Sequence, residues 1–240
     1  MEQGTRFVSC LTATIPCPLS PVPCNLFPAR MDPRELMIER QLKARGISNE
    51  AVLTAMNKVP REQFVAPGLS EHAYEDRPLI IGCSQTISQP YIVASMLQAL
   101  ELKPVDQVLE LGTGSGYQTA LLAEIARSVV SIERHAELAQ LAREHLNNLG
   151  YRNIEIIVGD GTLGYPPRAP YDAIAVSAAA PEIPPSLVKQ LDLGGRMVLP
   201  VGHRELQDLI LVRKTDSGVS TVRLDGCAFV PLIGEEGFPE

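Results

Sequence analysis

Val108-Leu109-Glu110-Leu111-Gly112-Thr113-Gly114-Ser115-Gly116 is the stretch that decides the fold of this chain. An alternating apolar run ends in a glycine-rich turn, and Ala120, Leu121, Leu122, Ile125 and Ala126 follow at helical spacing. The pattern predicts a buried strand, a tight turn and a helix, the opening of a βαβ unit. Glycine suits the turn because it takes positive φ without steric cost and lets a ligand approach the main chain. The first turn of the helix beyond it presents unpaired N–H groups that favour anionic or electron-rich atoms.

The glycines at 112, 114 and 116 do not fit the dinucleotide spacing G-x-G-x-x-G, since the third arrives one residue early. Val129, Val130 and Ile132 form the next apolar run, and Glu133 ends it. A carboxylate at the tip of the second strand suits a ribose diol, accepting a hydrogen bond from each hydroxyl. The glycine triplet alone is weak evidence. Strand, glycines, helix, strand and terminal acid in register make it strong.

Outward from this unit the alternation continues. Residues 136–149 read as a helix ended by Gly150, and residues 154–158 as a strand followed by Gly159-Asp160-Gly161. Asp160 is placed either to accept from an adenine amino group or to brace its own turn as an Asx motif. Residues 172–178 form another apolar strand running into Ala179-Ala180-Pro181, whose small side chains would let a substrate come close. A helix to Leu191, a Gly194-Gly195 turn and a strand over 196–201 follow. Residues 208–214 and 219–224 then alternate as a hairpin about Ser217-Gly218. Parallel strands joined by helices and closed by an antiparallel piece indicate an α/β fold, a doubly wound three-layer sheet. Ligands of such sheets bind at the carboxyl ends of the strands.

Upstream, Asp32-Pro33 reads as an N-cap and first helical residue, and Leu36, Met37, Ile38 and Leu42 supply an apolar stripe that Gly46 ends. Ser48 is expected to cap a second helix running to Val59, stopped by Pro60. These helices, within 31–60, are expected as a side wall or lid. Residues 61–85 are loop-rich and lead into Gln85-Thr86-Ile87-Ser88-Gln89-Pro90-Tyr91, followed by a helix over about 90–102. Ser88 has two readings, as N-cap of that helix or as a polar group in a substrate site.

The 240 residues fit one α/β domain with additions. Residues 1–30 carry Pro16, Pro18, Pro21, Pro23 and Pro28 and show no periodicity. They are expected to be a disordered tail or translated sequence upstream of a start at Met31, leaving 31–240 as a single domain. They lack the basic start and unbroken apolar core of a secretory signal. The net charge of −7 argues against a nucleic-acid surface, and no apolar run reaches the length of a spanning helix. The five cysteines, Cys10, Cys17, Cys24, Cys83 and Cys227, lack zinc-site spacing and are read as free thiols of a reducing, cytoplasmic compartment. No metal is expected. Of His72, His135, His145 and His203, only His203 sits at a predicted strand end; a solvated role is expected for each.

Residues 108–116 resemble motif I of S-adenosylmethionine-dependent methyltransferases, in which an acid precedes G-x-G-x-G. More narrowly, the chain resembles the protein-L-isoaspartate O-methyltransferases from about Leu36 to Gly234. The segments that carry this are 85–91, 108–117, Gly159-Asp160-Gly161, 178–181, Leu199-Pro200-Val201-Gly202 and Phe229-Val230-Pro231-Leu232. Generic methyltransferases lack the Thr-Ile-Ser-x-Pro segment at 86–90. The resemblance implies a Rossmann-like methyltransferase sheet, S-adenosylmethionine as cofactor, and methyl transfer to the free α-carboxylate of L-isoaspartyl residues in damaged proteins and peptides. It implies Ser88 as the active-site serine, with Gln85, Thr86 and Ile87 along the cofactor pocket. It further implies Gly112, Thr113 and Gly114 at the amino-acid end of the cofactor, Glu133 at its ribose, and Asp160 with Gly161 at its adenine. Ser88, Ala179, Ala180, Pro181 and Val201 are expected on the substrate side, and the protein is expected to act as a monomer.

The sequence departs from the family pattern at Ser84, where glycine is common, and at Ile233, which replaces a hydroxyl residue. Rival readings are a small-molecule methyltransferase, a nicotinamide-dependent oxidoreductase, and a non-catalytic binding protein. The oxidoreductase would need the other glycine spacing; the binding protein would be expected to have lost the glycines or the strand-two acid.

Overall fold

The computed structural model describes Met1 and residues 31–240, so the expectation for the proline-rich tail, with Cys10, Cys17 and Cys24, lies outside the described residues. Asp32 to Glu240 forms one compact unit. Asp32 caps α1 (Pro33–Met37), its carboxylate accepting the Arg34 N–H at 3.0 Å. Helical turns continue to Arg45 and stop at Gly46, φ 90°. The next helix, α2 (Glu50–Lys58), is capped by Asn49 rather than by Ser48. The Asn49 side-chain Oδ1 accepts the N–H groups of Ala51 and Val52 at 3.0 and 3.2 Å, whereas the main-chain N–H groups of Ser48 and Asn49 donate to the Gln98 side chain. A cap needs its oxygen two or three residues ahead of the free N–H groups, and Ser48 is one residue too early.

A short antiparallel hairpin, β1 (Leu79–Gly82) and β2 (Gln85–Ile87), comes next where the sequence reads as loop. Cys83 and Ser84 form its tip with φ of 48° and 56°, so Ser84 takes the left-handed conformation that glycine adopts more cheaply. Helix α3 (Pro90–Leu100) follows, then β3 (Gln107–Leu111), α4 (Tyr117–Ile125), β4 (Ser128–Glu133), α5 (Ala136–Asn148), β5 (Ile154–Val158), β6 (Tyr171–Val176) and α6 (Pro185–Gln190). The chain closes with β7 (Leu191–Gly202), β8 (Gln207–Thr215) and β9 (Gly218–Cys227).

These last seven strands form one sheet in the order β5-β4-β3-β6-β7-β8-β9. The pairs from β5 to β7 are parallel and the last two are antiparallel, the doubly wound pattern expected. Strand alternation sorts the core into two layers. Val108, Ala173, Ala175 and Val198 pack toward α2, α3 and α4; Leu109, Leu111, Ile174, Val176, Met197 and Leu199 pack toward Leu187 of α6. Met37, Leu42, Val52, Leu53 and Met56 from the first helices join the former layer. No helix among the described residues is long and apolar enough to cross a membrane.

Candidate active site

β3 and β4 lie in register, so their carboxyl ends meet at one level of the sheet. The chain leaves β3 through Gly112 (φ 88°), whose N–H donates to the Ile132 carbonyl at 2.8 Å. Gly116 (φ 91°) then admits α4: a Cβ there would sit 3.3 Å from Ala142 and from Leu146 of α5. The turn is therefore shaped by close helix packing on one side and left open on the other.

The open side is a cleft of about 150 Å³. Its walls include Gln85, Thr86, Ile87 and Ser88 from the hairpin segment, Gly112, Thr113 and Gly114 from the turn, Glu133 from β4, and Gly161. Nine expected site residues thus converge on one cavity. Glu133 is buried and held from two sides: one oxygen accepts the Gly114 N–H and the other the His135 N–H, each at 2.9 Å. Each carboxylate oxygen retains a lone pair for a ligand hydroxyl. The Thr113 hydroxyl turns away from the cleft to the Ser131 hydroxyl at 2.6 Å, leaving its main chain at the surface of the turn.

Beneath the turn sits Glu110, fully buried. One of its carboxyl oxygens accepts from the hydroxyls of Ser131 and Thr119, and the other has no partner among the described residues. Burial pushes this carboxyl up to about 7, against the opposing pull of those hydroxyl bonds.

Ser88 does not cap α3. The cap position is Gln89, no side chain bonds the helix there, and Pro90 begins the helix, which leaves Ser88 one residue too far back. The Ser88 hydroxyl has no hydrogen-bond partner among the described residues, and its carbonyl accepts from Arg61 at 2.9 Å. Over the turn, the tip of Ile81 from β1 lies 3.2 Å from where a Cβ on Gly114 would stand.

Five expected residues do not reach the cleft. Asp160 is exposed, and its two carboxylate oxygens accept the N–H groups of Thr162 at 2.8 Å and Glu235 at 3.0 Å; it braces the turn that carries Gly161. Ala179 and Ala180 are fully buried and pair with their own chain. Ala179 bonds Val230 and Leu232 at 2.8 and 2.7 Å, and Ala180 bonds Pro200 and Gly202 at 2.9 and 3.0 Å. Pro181 is exposed and Val201 is tied to Ala180, neither lining the cleft. The small side chains make room for residues 230–232, which form a cleft wall with Ile233.

His203 is exposed and lies outside the cleft, whereas His135 lines it. Arg134, Ser177 and Gln118 also line it, the latter two joined at 2.7 Å. His135 and Arg134 follow Glu133 at a strand's carboxyl end, the same positional signal that singled out Glu133.

The wall at 230–233 is fastened from behind. Phe238 N–H donates to Leu232 at 2.7 Å, and Glu236 accepts from the main chain and hydroxyl of Ser186 on α6 at 2.8 and 2.7 Å.

Comparison with known proteins extends these observations. A family model described as protein-L-isoaspartate(D-aspartate) O-methyltransferase matches residues 32–237. A Methanoculleus marisnigri protein named protein-L-isoaspartate O-methyltransferase is 59% identical over 205 residues, covering 85% of this chain and 93% of its own length. A Koribacter versatilis protein of the same name is 56% identical, covering 85% of this chain and 92% of its own. A Plasmodium falciparum chain described by that activity, solved in complex with S-adenosyl-L-homocysteine, superposes with a TM-score of 0.72 at 28% identity, over 83% of this chain and 97% of that one. A match running from the first helix to the fastened wall, with relatives more than half identical throughout, means that the chain belongs to the protein-L-isoaspartate O-methyltransferase family.

Proposed function

We propose that this chain transfers a methyl group from S-adenosylmethionine to the free α-carboxylate of L-isoaspartyl residues in damaged proteins and peptides. The observation that carries the reading is one cleft joining the glycine turn and Glu133 to the unpaired hydroxyl of Ser88. The donor set suits the cofactor. A turn without side chains at Gly112 and Gly114 leaves room for its amino-acid end, and Glu133 is pinned where a ribose diol would be received. Gly161 seats its turn against Leu111 at the cleft wall, where a Cβ would stand 3.1 Å from that side chain, and its main chain borders the adenine end. Gln85, Thr86 and Ile87 complete that side, and Asp160 acts through Gly161 rather than on the adenine.

S-adenosylmethionine, when bound, supplies a methyl on a sulfonium that leaves as a neutral thioether while the carboxylate oxygen becomes an ester. An α-carboxylate is already ionised at neutral pH, so the chain has no proton to remove from it. What the residues contribute is alignment. Ser88 donates to the attacking carboxylate and fixes its approach, and such positioning is worth up to roughly 7–11 kcal/mol. Ala179 serves by holding residues 230–232 in the wall, and Ala180 with Val201 ties the alanine segment to β7; Pro181 stays exposed outside the cleft.

We further take residues 31–240 as a single domain whose first helices are a side wall, since their apolar residues are built into the core. We take it to act as a cytoplasmic monomer, off membranes, on protein and peptide rather than nucleic acid, in keeping with its net charge of −7 and the free thiols of Cys83 and Cys227.

The decisive measurement is methyl transfer from labelled cofactor to matched peptides bearing isoaspartate or aspartate. Base-labile label on the isoaspartyl peptide alone is expected. Equal labelling of both peptides, or label only on small carboxylic acids, overturns the substrate assignment.

A further inference from the structure

Two arginines are buried among the described residues, and they are held differently. Arg196 has a carboxylate, Asp106, at 2.6 Å, besides the carbonyls of Leu100, Glu101 and Asp172. Arg61, at 0% exposure, has no carboxylate partner among the described residues. Its Nε donates to the Ala73 carbonyl at 2.6 Å and its Nη2 to the Ser88 carbonyl at 2.9 Å. Its guanidinium lies over the Tyr117 ring, 4.8 Å from the centroid, and Nη1 has no hydrogen-bond partner among the described residues. Glu62, the next residue, is taken by Arg34 at 3.3 Å and by the Tyr74 hydroxyl.

A buried cation without a counter-charge is costly, and two carbonyl acceptors do not require a charged donor. Both residues that Arg61 touches on the inner side, Ser88 and Tyr117, line the cleft. The guanidinium therefore stands one side chain behind the wall against which an acidic substrate docks, with charge to spare.

We infer that Arg61 is a positioning residue whose missing counter-charge is the substrate: it fixes Ser88 through its carbonyl and draws the free α-carboxylate of the isoaspartyl residue onto this wall. This rests on the substrate reading proposed above. The sign of its effect follows from the reaction. Methyl transfer erases the charge of the carboxylate, so a nearby cation favours the bound substrate over the transition state and over the neutral ester. Arg61 thus acts in substrate capture, and the ester leaves without that attraction.

The test uses the full chain as wild type, Arg61→Lys, Arg61→Met and Arg61→Gln, with folding checked by melting temperature and by S-adenosylhomocysteine affinity. Two quantities are compared: KM and kcat for an isoaspartyl peptide, and the inhibition constant of the same peptide carrying a carboxamide in place of the α-carboxylate. Arg61→Met is expected to raise KM about tenfold, as loss of one poorly screened charge interaction would, and to lower kcat because Ser88 loses its anchor, while the carboxamide constant stays within about twofold. Arg61→Lys should keep most of the preference for the charged peptide. Arg61→Gln, which retains donors for both carbonyls, should lose the preference as Met does, and it replaces Met if that variant does not fold. KM and the carboxamide constant rising together would mean a structural role only and overturn the inference, as would a preference unchanged without the charge. Failure of the wild type to methylate the isoaspartyl peptide is a separate outcome that removes the substrate reading and the inference with it.

Discussion

β3 and β6 are neighbours in the sheet, and both stop at runs of small residues, 112–116 and 178–180. At the first, the space above the turn is cleft. At the second, Ala178 still borders the cleft, but beyond it the space is filled by this chain's own main chain, with Ala179 bonded to residues 230–232 and Ala180 to residues 200–202. Small side chains at a strand end mean that something comes close. They do not say whether it is a ligand or another piece of backbone.

Substitutions can break or sharpen that contrast. The largest effect is expected from Gly112→Val, which forces a branched side chain into φ 88° and against Ser177, 3.4 Å from the new Cβ. Affinity for S-adenosylhomocysteine should fall by about a hundredfold or more by calorimetry, given the strain and the blocked space. An affinity within twofold of wild type would mean that the β3 turn holds no ligand. Next come two opposed effects, each about ten- to a hundredfold, the range of a hydrogen bond to a charged group. Glu133→Ala should weaken the cofactor and leave turnover at saturation nearly intact, whereas Ser88→Ala should lower turnover and leave S-adenosylhomocysteine affinity unchanged. The reverse assignment in steady-state kinetics would exchange their roles.

Smaller still is Ala180→Leu. Overpacking a fully buried site should lower unfolding free energy by about 1–3 kcal/mol in denaturant titration, with cofactor affinity unaffected. A selective rise in peptide KM at unchanged stability would restore Ala180 to the substrate side.

The smallest effect concerns Glu110. Its carboxyl rises from the ordinary 4.5 to about 7 in the folded chain. Between those values the folded state holds the proton more tightly than the unfolded one, so stability falls as pH rises through that window. Glu110→Gln, which cannot ionise, should flatten the melting-temperature slope there; an unchanged slope would place the shift elsewhere.

Much of the sheet was legible because buried parallel strands are written as local apolar runs. Residues 154–158 coincide with β5, and the parallel pairing from β5 to β7 follows from alternation of strand and helix. Glu133 and the glycine turn were legible for the same reason, since strand and ligand group share one short segment. What was misread depended on distant partners or on one-residue offsets. Asp160 was open to two readings because the N–H of Glu235, which occupies one of its oxygens, lies far along the chain. Ser48 and Ser88 each missed a cap by one position, settled by Asn49 in one case and by Pro90 in the other. The hairpin β1–β2 was read as loop because its strands are short and its tip, Cys83 and Ser84, lacks the glycine that usually announces such a turn. Arg61 carried no local signal at all: its meaning lies in what it does not pair with.

The fastened wall has a practical side. Phe238, Glu236 and Glu235 act as three rivets, seated on Leu232, Ser186 and Asp160 in turn, and they hold the one rim of the cleft that comes from the carboxyl end. Fusing a purification handle after Glu240 loads those rivets directly. Digestion by a carboxypeptidase, slowed when donor or its product fills the cleft, would serve as a label-free gauge of occupancy.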